Sequence, residues 1–386
     1  MLTKQHHHHV QKLHFLKNKL NDLYIHLVIQ ALAISMVSIF VPIYLIELGF
    51  QLKTVILFLF MEYAVFGLLA PLCGHIIMKI GIKFVIMIRT PLLVLALFLL
   101  ALMKTNPVLQ GYFLGIAILL GFSGILYTLS ITSLFVEIID KEKIGTETGM
   151  FFSLPHLGTI IGPVIGALIS IKFGFPVLFF IVSLVLLLSI IPLIQIKKKI
   201  DHPFFSFELL FRQFSMYKNK IFSLNLYGIK GFVYYLVLPI AIYLNKRNIL
   251  TLGFISSIIS LLNLIVALII GRNIDRHSSL SMFRIGSVLL TLYFALLGII
   301  SDTPWFIYAS LLSGLLIIFQ DLPYETNLYS RARQDKSPVP SLVFKEMSLF
   351  AGRAVLFIFL LIFAEKFYLG FYLGAVSSLI LGFIPI

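Results

Sequence analysis

The chain has 386 residues, of which 60% are hydrophobic and only 12% charged. Soluble domains run at about 45–50% apolar and about 25% charged, so this composition excludes a water-surrounded globule of this length and calls for a lipid surround. The formal net charge of +14 does not read as a nucleic-acid-binding surface, because the Lys and Arg residues fall between apolar runs, as cytoplasmic loop anchors do.

The N-terminal stretch is basic and contains His6–His9, which reads as a solvated tail or a tag remnant more readily than as a metal-binding tract. The first apolar run, Leu23–Ile46, is too long for a signal-peptide core and reads as a retained span. About 20 apolar residues cross the hydrocarbon core. Runs of that kind, broken by charges, Pro and Gly, predict twelve spans at 22–46, 52–73, 84–103, 107–133, 147–171, 174–196, 219–243, 250–270, 284–301, 304–326, 341–364 and 367–386. None alternates with period two, as barrel strands do. Helices are therefore predicted throughout, because backbone polar groups in lipid must bond within their own segment. The single cysteine, Cys73, allows no intramolecular disulfide and falls at a span end, where it reads as packing.

With the N-terminus placed in the cytoplasm, 21 of the 30 Lys and Arg residues fall on the cytoplasmic side, six fall opposite, and three (Arg89, Lys230, Arg353) lie inside spans. The positive-inside rule then predicts both termini in the cytoplasm. The longest interhelix segment, 197–218, is basic and contains His202-Pro203. It divides the chain into a tail (1–21), a first six-helix half (22–196), the cytoplasmic linker and a second six-helix half (219–386), the repeat organisation common in transporters.

Three local patterns carry a family resemblance. Between spans two and three stands Gly74-His75-Ile76-Ile77-Met78-Lys79-Ile80-Gly81-Ile82-Lys83, and the equivalent place in the second half reads Gly271-Arg272-Asn273-Ile274-Asp275-Arg276. Span five contains Gly158-Thr159-Ile160-Ile161-Gly162-Pro163-Val164-Ile165-Gly166. These resemble the loop motifs and the glycine-proline motif of the major facilitator superfamily, and the resemblance covers nearly the whole chain. Met78 stands where the first loop motif has an acidic residue, and Ser278 where the second has glycine. Membership implies an all-α membrane protein of twelve helices in two halves. It also implies that Gly74, Lys79, Gly81, Lys83, Gly271, Asp275 and Arg276 act as a cytoplasmic gating clamp. Glycines four apart make a flat stripe for close helix approach, and Pro163 permits a bend. Gly158, Gly162, Pro163 and Gly166 are thus helix-packing or gating residues in a motif often associated with exporters. Span four, Gly111–Ser133, holds no Lys or Arg, which weakens a drug–proton antiporter reading.

Ionisable groups inside spans are costly, about 2.5–3.5 kcal/mol near the midplane on insertion scales, and normally face a cavity or a partner. Glu62, Lys230 and Arg353 lie deep in their spans, and Asp321 lies in the cytoplasmic half of span ten beside Pro323. Arg89 and Glu325 lie nearer an edge; they read as a snorkelling interface anchor and a loop-clamp residue. His156 in span five is a weaker member of the set. If the family architecture holds, Lys230, Asp321 and Arg353 converge with one cation in surplus. They form either a structural ion-pair network or a receptor for an anionic group. Lys230 and Arg353 are the substrate-binding candidates, with polar companions Gln30, Tyr127, Asn225, Tyr234, Asn263, Gln320 and Tyr324. Glu62, alone in its half, and Asp321 are the proton-carrying candidates.

No phosphate-binding Gly-x-x-x-x-Gly-Lys-Ser/Thr loop and no His-Glu-x-x-His motif occurs. The chain is therefore expected to be no enzyme, to need no cofactor or metal, and to draw on an ion or solute gradient. The leading reading is a monomeric transporter of a small organic solute by alternating access, proton-coupled or facilitative, with an anionic solute as one option and membrane lipids as neighbours. Translocation of lipid or amphiphile by the same fold, and a non-transporting scaffold or sensor, stand as alternatives. Abundant Ile, Lys, Phe and Leu point to a bacterial inner membrane.

Overall fold

A computed structural model describes residues 21–139, 144–194, 205–274, 279–301, 304–335 and 337–384. His6–His9, Asp275 and Arg276 lie outside the described residues. Every regular element among those described is helical. In chain order these are α1 (21–35), α2 (Val41–Glu47), α3 (Leu52–Leu68), α4 (Ala70–Ile80), α5 (Ile82–Leu102), α6 (Pro107–Gly111), α7 (Phe113–Ile138), α8 (Ile144–Phe173), α9 (Phe175–Leu188) and α10 (Ile191–Ile194). The second half follows with α11 (Phe207–Met216), α12 (Lys218–Phe232), a π-helical turn (Val233–Val237), α13 (Leu238–Lys246), α14 (Ile249–Ile274), α15 (Ser279–Ile300), α16 (Trp305–Leu311), α17 (Ser313–Ala332), α18 (Val339–Ile362), a 3-10 turn (Ala364–Leu369) and α19 (Gly370–Phe383).

Nine helical segments among the described residues are long and apolar enough to cross a membrane, and α3 with α4, bent by 56°, makes a tenth. Two further predicted spans depart from a simple apolar rod. The first is broken between α1 and α2, where Pro42 starts the new helix. The eleventh, α18, is 24 residues long but carries Lys345, Glu346 and Arg353. Apolar side chains are exposed around the outside, among them Phe180 at 64%, Ile299 at 72% and Phe383 at 80%. In lipid such exposure carries no hydrophobic penalty, so the bundle can face outward with the residue types it also uses inside.

The two halves meet along two seams, α8 against α14 and α3 against α18. Small residues set the first seam and its surroundings. A Cβ on Gly149 would come within 2.9 Å of the Gly271 Cα, so α8 and α14 touch backbone to backbone there. The stripe Gly158, Gly162 and Gly166 lies against the first helix. A Cβ on Gly158 would meet the backbone of Val28 and Leu32, and one on Gly166 the backbone at Met36. Across the other side of α8, a Cβ on Gly253 would approach the Pro163 carbonyl oxygen to 2.8 Å.

Contacts between halves exist at both ends of the bundle. Arg333, just past α17, donates from Nη1 to the carbonyl oxygens of Val136, at 2.5 Å, and of Glu137, near the C-terminus of α7. A guanidinium there satisfies carbonyls left free by the helix end and meets the negative end of its dipole. At the opposite end the Tyr243 hydroxyl lies 3.4 Å from Glu47 Oε1.

Gly166→Val puts three atoms where backbone already stands. The expected cost is about 1–3 kcal/mol, read as a lower thermal unfolding midpoint in detergent; an unchanged midpoint would show that α8 does not depend on this close approach.

Candidate functional site

Among the described residues, six charged side chains of the second half form three ion pairs on α12, α17 and α18. Lys230, fully buried on α12, pairs with Asp321 on α17, which is 4% exposed. The Lys230 ammonium also sits 4.4 Å from the centroid of the Tyr227 ring. One helical turn after Asp321, Glu325 takes the ammonium of Lys345 from α18 at 2.6 Å. On α18 itself, Arg353 Nη1 lies 3.3 Å from Glu346 Oε2, seven residues earlier on the same helix face. The Arg353 guanidinium stands over the Phe232 ring at 4.7 Å, with Tyr63 and Phe66 of α3 each at 5.9 Å.

Local sequence explains these positions. Asp321 and Glu325 are four apart, so one face of α17 presents both carboxylates. Pro323 lies between them and leaves an unbonded carbonyl a turn back. Directly after Lys230 the helix widens into the π-turn Val233–Val237 and then meets Pro239 at the start of α13. Such turns shift the register of the side chains around them and are frequent at functional sites. Tyr235 on this turn is 63% exposed yet lies within electrostatic reach of buried Asp321.

The polar companions extend outward from the pairs. Asn263 Nδ2 donates to the Tyr234 hydroxyl at 2.9 Å, and Gln320 Nε2 donates to Ser287 Oγ at 2.7 Å. The side-chain oxygens of both amides are buried without a hydrogen-bond partner. Tyr324 stacks on Tyr227 with ring centroids 4.3 Å apart, and its hydroxyl lies 3.2 Å from Ser223 Oγ. Asn225, with its amide nitrogen turned to its acceptors, donates to the Ser348 carbonyl oxygen at 2.5 Å and ties α12 to α18. A Cβ on Gly352 would strike the backbone of Asn225, so these two helices are also as close as they can be.

The first half is arranged differently. Arg89 is 2% exposed, with its guanidinium 4.0 Å over the Tyr127 ring and with Nε and Nη2 lacking hydrogen-bond partners. The snorkelling expected of Arg89 from its position is thus replaced by burial between helices: cation–π contact with Tyr127 holds it in. Tyr127 Oη lies 3.2 Å from His26 Nε2; His26 Nδ1 lies 2.6 Å from the Ser189 carbonyl oxygen, and Ser189 Oγ donates to Gln30 Oε1 at 3.2 Å. A carbonyl only accepts, so the proton is on Nδ1, and Nε2 accepts from Tyr127. Glu62 is half-buried on α3 and has neither hydrogen bond nor ion pair among the described residues. It shares with Arg353 an electrostatic influence on Tyr63. His156 Nδ1 lies 3.3 Å from Thr159 Oγ1 of its own helix.

Several sequence expectations resolve into geometry here. Lys230 and Asp321 come together, while Arg353 faces the other side of α12 with its own carboxylate. The surplus cation expected from Lys230, Asp321 and Arg353 is therefore balanced, because Glu346 joins the set. Glu325, expected at a loop clamp, is 6% exposed and held by Lys345 within its own half. Gln30 and Tyr127 lie in the first-half chain, away from the ion pairs. Among the expected clamp residues, Gly81 has φ +95°, a conformation suited to glycine at the α4–α5 junction. Gly74 packs against Val343 and Phe205, Lys79 is exposed, and Lys83 Nζ donates to the Ile194 carbonyl oxygen at 2.8 Å. His26 was missed from sequence because a lone histidine near the start of an apolar run gives no spacing signal. Glu346 was missed from sequence, and it and its neighbour Lys345 reach different partners, Arg353 and Glu325.

Among the described residues, no group of three or more His, Cys, Asp or Glu is placed to hold a metal ion. The chemistry on offer is exchange of partners between buried charges. Lys230→Met leaves Asp321 buried without its partner and is expected to cost about 3–5 kcal/mol. The double variant Lys230→Met with Asp321→Leu should recover most of that in thermal unfolding; equal loss in the single and double variants would mean the pair is not coupled.

Comparison with solved structures places the helix arrangement among membrane transporters. The E. coli fucose:proton symporter superposes with a TM-score of 0.69 at 12% identity, over 94% of this chain and 97% of that one. A bacterial homologue of the iron transporter ferroportin, in an outward-facing state, gives 0.67 at 16% identity over 95% and 98%. The human organic anion transporter gives 0.65 at 15% identity over 95% and 99%. No curated protein matches the chain. Its sequence does match the family description of the Major Facilitator Superfamily across residues 23–356, and the chain belongs to that superfamily of membrane transporters.

Proposed function

We propose that this transporter carries a small organic solute with an anionic group together with a proton, by alternating access, across a membrane it crosses twelve times with both termini in the cytoplasm. The observation that carries this reading is the buried Lys230–Asp321 pair between α12 and α17. Each charge in the apolar interior is tolerable only while the other compensates it. Protonating Asp321 leaves the Lys230 ammonium uncompensated, and an anionic solute group then restores the balance. Proton and anion therefore favour each other's binding, a coupling free energy between two sites that must be reciprocal. When both leave, the pair closes again and the site returns to neutrality.

Lys230 is the anion receptor and Asp321 the proton carrier in this scheme. Tyr227, Tyr234, Asn263 and Gln320 orient the solute, with the orphan amide oxygens of Asn263 and Gln320 accepting from its hydroxyl or amino groups. Arg353, already paired with Glu346, holds the α18 side of the site beneath Phe232. The seams α8–α14 and α3–α18 are the surfaces on which the halves rock. Release of Arg333 from the end of α7 frees one end of the bundle, and separation of Tyr243 from Glu47 frees the other. Because proton and solute load together, an inward proton gradient drives solute inward.

A second reading rests on the aromatic lining of the α3–α18 seam. Tyr63, Phe66 and Phe232 surround the Arg353 guanidinium, Phe357 packs against Tyr63 and Phe232, and Phe60 packs against Phe357. An apolar wall with a cation beside it suits an amphiphile, so labelled-lipid scrambling belongs among the assays.

The test is uptake into proteoliposomes under an imposed inward proton gradient, with a panel of labelled carboxylates and phosphate esters beside neutral sugars and nucleosides. Accumulation of an anionic class is expected, with loss in Lys230→Met of roughly tenfold or more, equivalent to about 1.4 kcal/mol or more. Asp321→Asn should retain exchange of solute for solute but lose accumulation driven by the gradient. Accumulation of a neutral solute alone, or full gradient-driven uptake in either variant, would contradict the reading.

A further inference from the structure

Glu62 is left unused by the pairs described above. It lies inside the apolar helix α3, half-buried, with no ion pair or hydrogen bond among the described residues. An ionisable group inside a span normally faces a cavity or a partner. The α3–α18 seam places a cation of the other half at nearly the same depth. The two helices run antiparallel there in a regular register. Phe60 packs on Phe357 with ring centroids 5.7 Å apart. Seven residues further along α3, Gly67 lies against Phe350, seven residues back along α18. Between these contacts Glu62 stands level with Val355, two residues from Arg353, which is about 3 Å of helix rise. The helix faces agree. Arg353 lies over the rings of Tyr63 and Phe66 of α3. Glu62, four residues before Phe66, is only about 40° from it around the helix axis. Leu68, 69% exposed, marks the outer face of α3 and lies about 120° from Glu62. Gly121 of α7 packs against the Glu62 backbone, which fixes the helix at this point and leaves the side chain as the movable part.

Arg353 is loosely held. Its contact with Glu346 is 3.3 Å, long beside the roughly 2.7–2.9 Å of a strong charge-assisted pair. Its Nε is buried without a hydrogen-bond partner. The rings of Phe232, Tyr63 and Phe66 attract the charge through their faces, an attraction that does not tie the guanidinium to one orientation.

We propose that Arg353 is shared by two carboxylates on either side of the α3–α18 seam: Glu346 holds it in the arrangement described here, and Glu62 takes it in a second arrangement, as an ion pair between the halves. When α18 moves against α3, the guanidinium turns across Tyr63 and Phe66 and gives up Glu346. The pair within α18 ties that helix only to itself, whereas the pair with Glu62 ties one half to the other. One cation serves two carboxylates, so the two pairs exclude each other, and the seam has two discrete settings. The carboxylate left spare is the signature of the setting. The exchange involves neither Lys230 nor Asp321 and holds whatever solute the protein carries.

The experiment labels the spare carboxyl group with dicyclohexylcarbodiimide, an apolar reagent that adds whole to a carboxyl group as an N-acylurea and that an ion-paired carboxylate resists. The full chain in detergent is treated, digested and read by peptide mass spectrometry at Glu62. The wild type should carry the adduct there. Glu346→Gln leaves Arg353 buried without its counter-charge, which drives it to Glu62, and the adduct at Glu62 should be lost. Glu346→Gln with Arg353→Gln removes the protecting cation and should restore the adduct. Glu346→Asp, which shortens the side chain and keeps the charge, should lower the labelling and supplies the comparison if Glu346→Gln does not fold. In thermal unfolding, Glu62→Gln combined with Glu346→Gln should lower the midpoint by more than the two single variants together, because only the combination strips Arg353 of both carboxylates. A wild type without the adduct at Glu62, labelling undiminished in Glu346→Gln or Glu346→Asp, no recovery when Arg353 is also removed, or additive midpoint shifts would each overturn the proposal.

Discussion

A charge inside a membrane must have its counter-charge at hand, and the second half of this protein is organised around that requirement. Among the described residues, three cations on α12 and α18 (Lys230, Lys345 and Arg353) each contact one of three buried carboxylates on α17 and α18. Removing any one group would leave its partner in a medium where solvation is lost and nothing replaces it. The helices are consequently fixed in rotation about their own axes, because a turn in either direction separates a pair. Close backbone contacts enforce the same register: Gly352 meets Asn225, and Gly228 meets Leu349, across the α12–α18 interface.

The three pairs differ in what surrounds them. Glu325–Lys345 lies towards the end of α17, and its lysine lines a cavity between α11, α12, α17 and α18. Glu346–Arg353 lies along one helix and is walled by aromatic rings from α3 and α12. Lys230–Asp321 joins two different helices just before α12 changes to a π-turn, and Gln320, the residue before Asp321, has an unsatisfied amide oxygen. Only this last pair combines compensated charge, unused acceptors and a local departure from regular helix. Among the described residues the first half offers no such pair. Its buried cation, Arg89, rests on the Tyr127 ring, and Glu62 stands on another helix without an ion pair. Neutral hydrogen bonds from Tyr127 through His26 to Ser189 and Gln30 link its helices instead. Among the described residues the contrast between the two parts of the chain is therefore electrostatic.

Much of this framework was legible in the sequence because lipid makes strong demands on composition. Long apolar runs located the helices, and Gly158, Gly162 and Gly166 marked the face of α8 that approaches the first helix. The expectation failed where depth alone was asked to decide environment. Arg89 is close enough to a span end to reach the interface, yet a tyrosine from α7, distant in sequence, offers it a ring to rest on. Lys345 and Glu346 are adjacent, and adjacency on a helix sends them about 100° apart to different partners. Neither outcome is visible without knowing which helices are neighbours. The linker was expected to be a basic loop, but Ser206, Leu210 and Phe214 carry a capping residue and helical spacing that fold part of it into α11.

Partner exchange at Lys230–Asp321 is the claim on which the transport scheme stands, and proton movement reports it directly. The measurement is the number of protons taken up from a weakly buffered solution, with a pH-indicating dye, when the purified protein binds an anionic solute identified by uptake. The account expects close to one proton taken up per solute bound, and none in Lys230→Met with Asp321→Asn. Solute binding to the wild type with no proton uptake would contradict it.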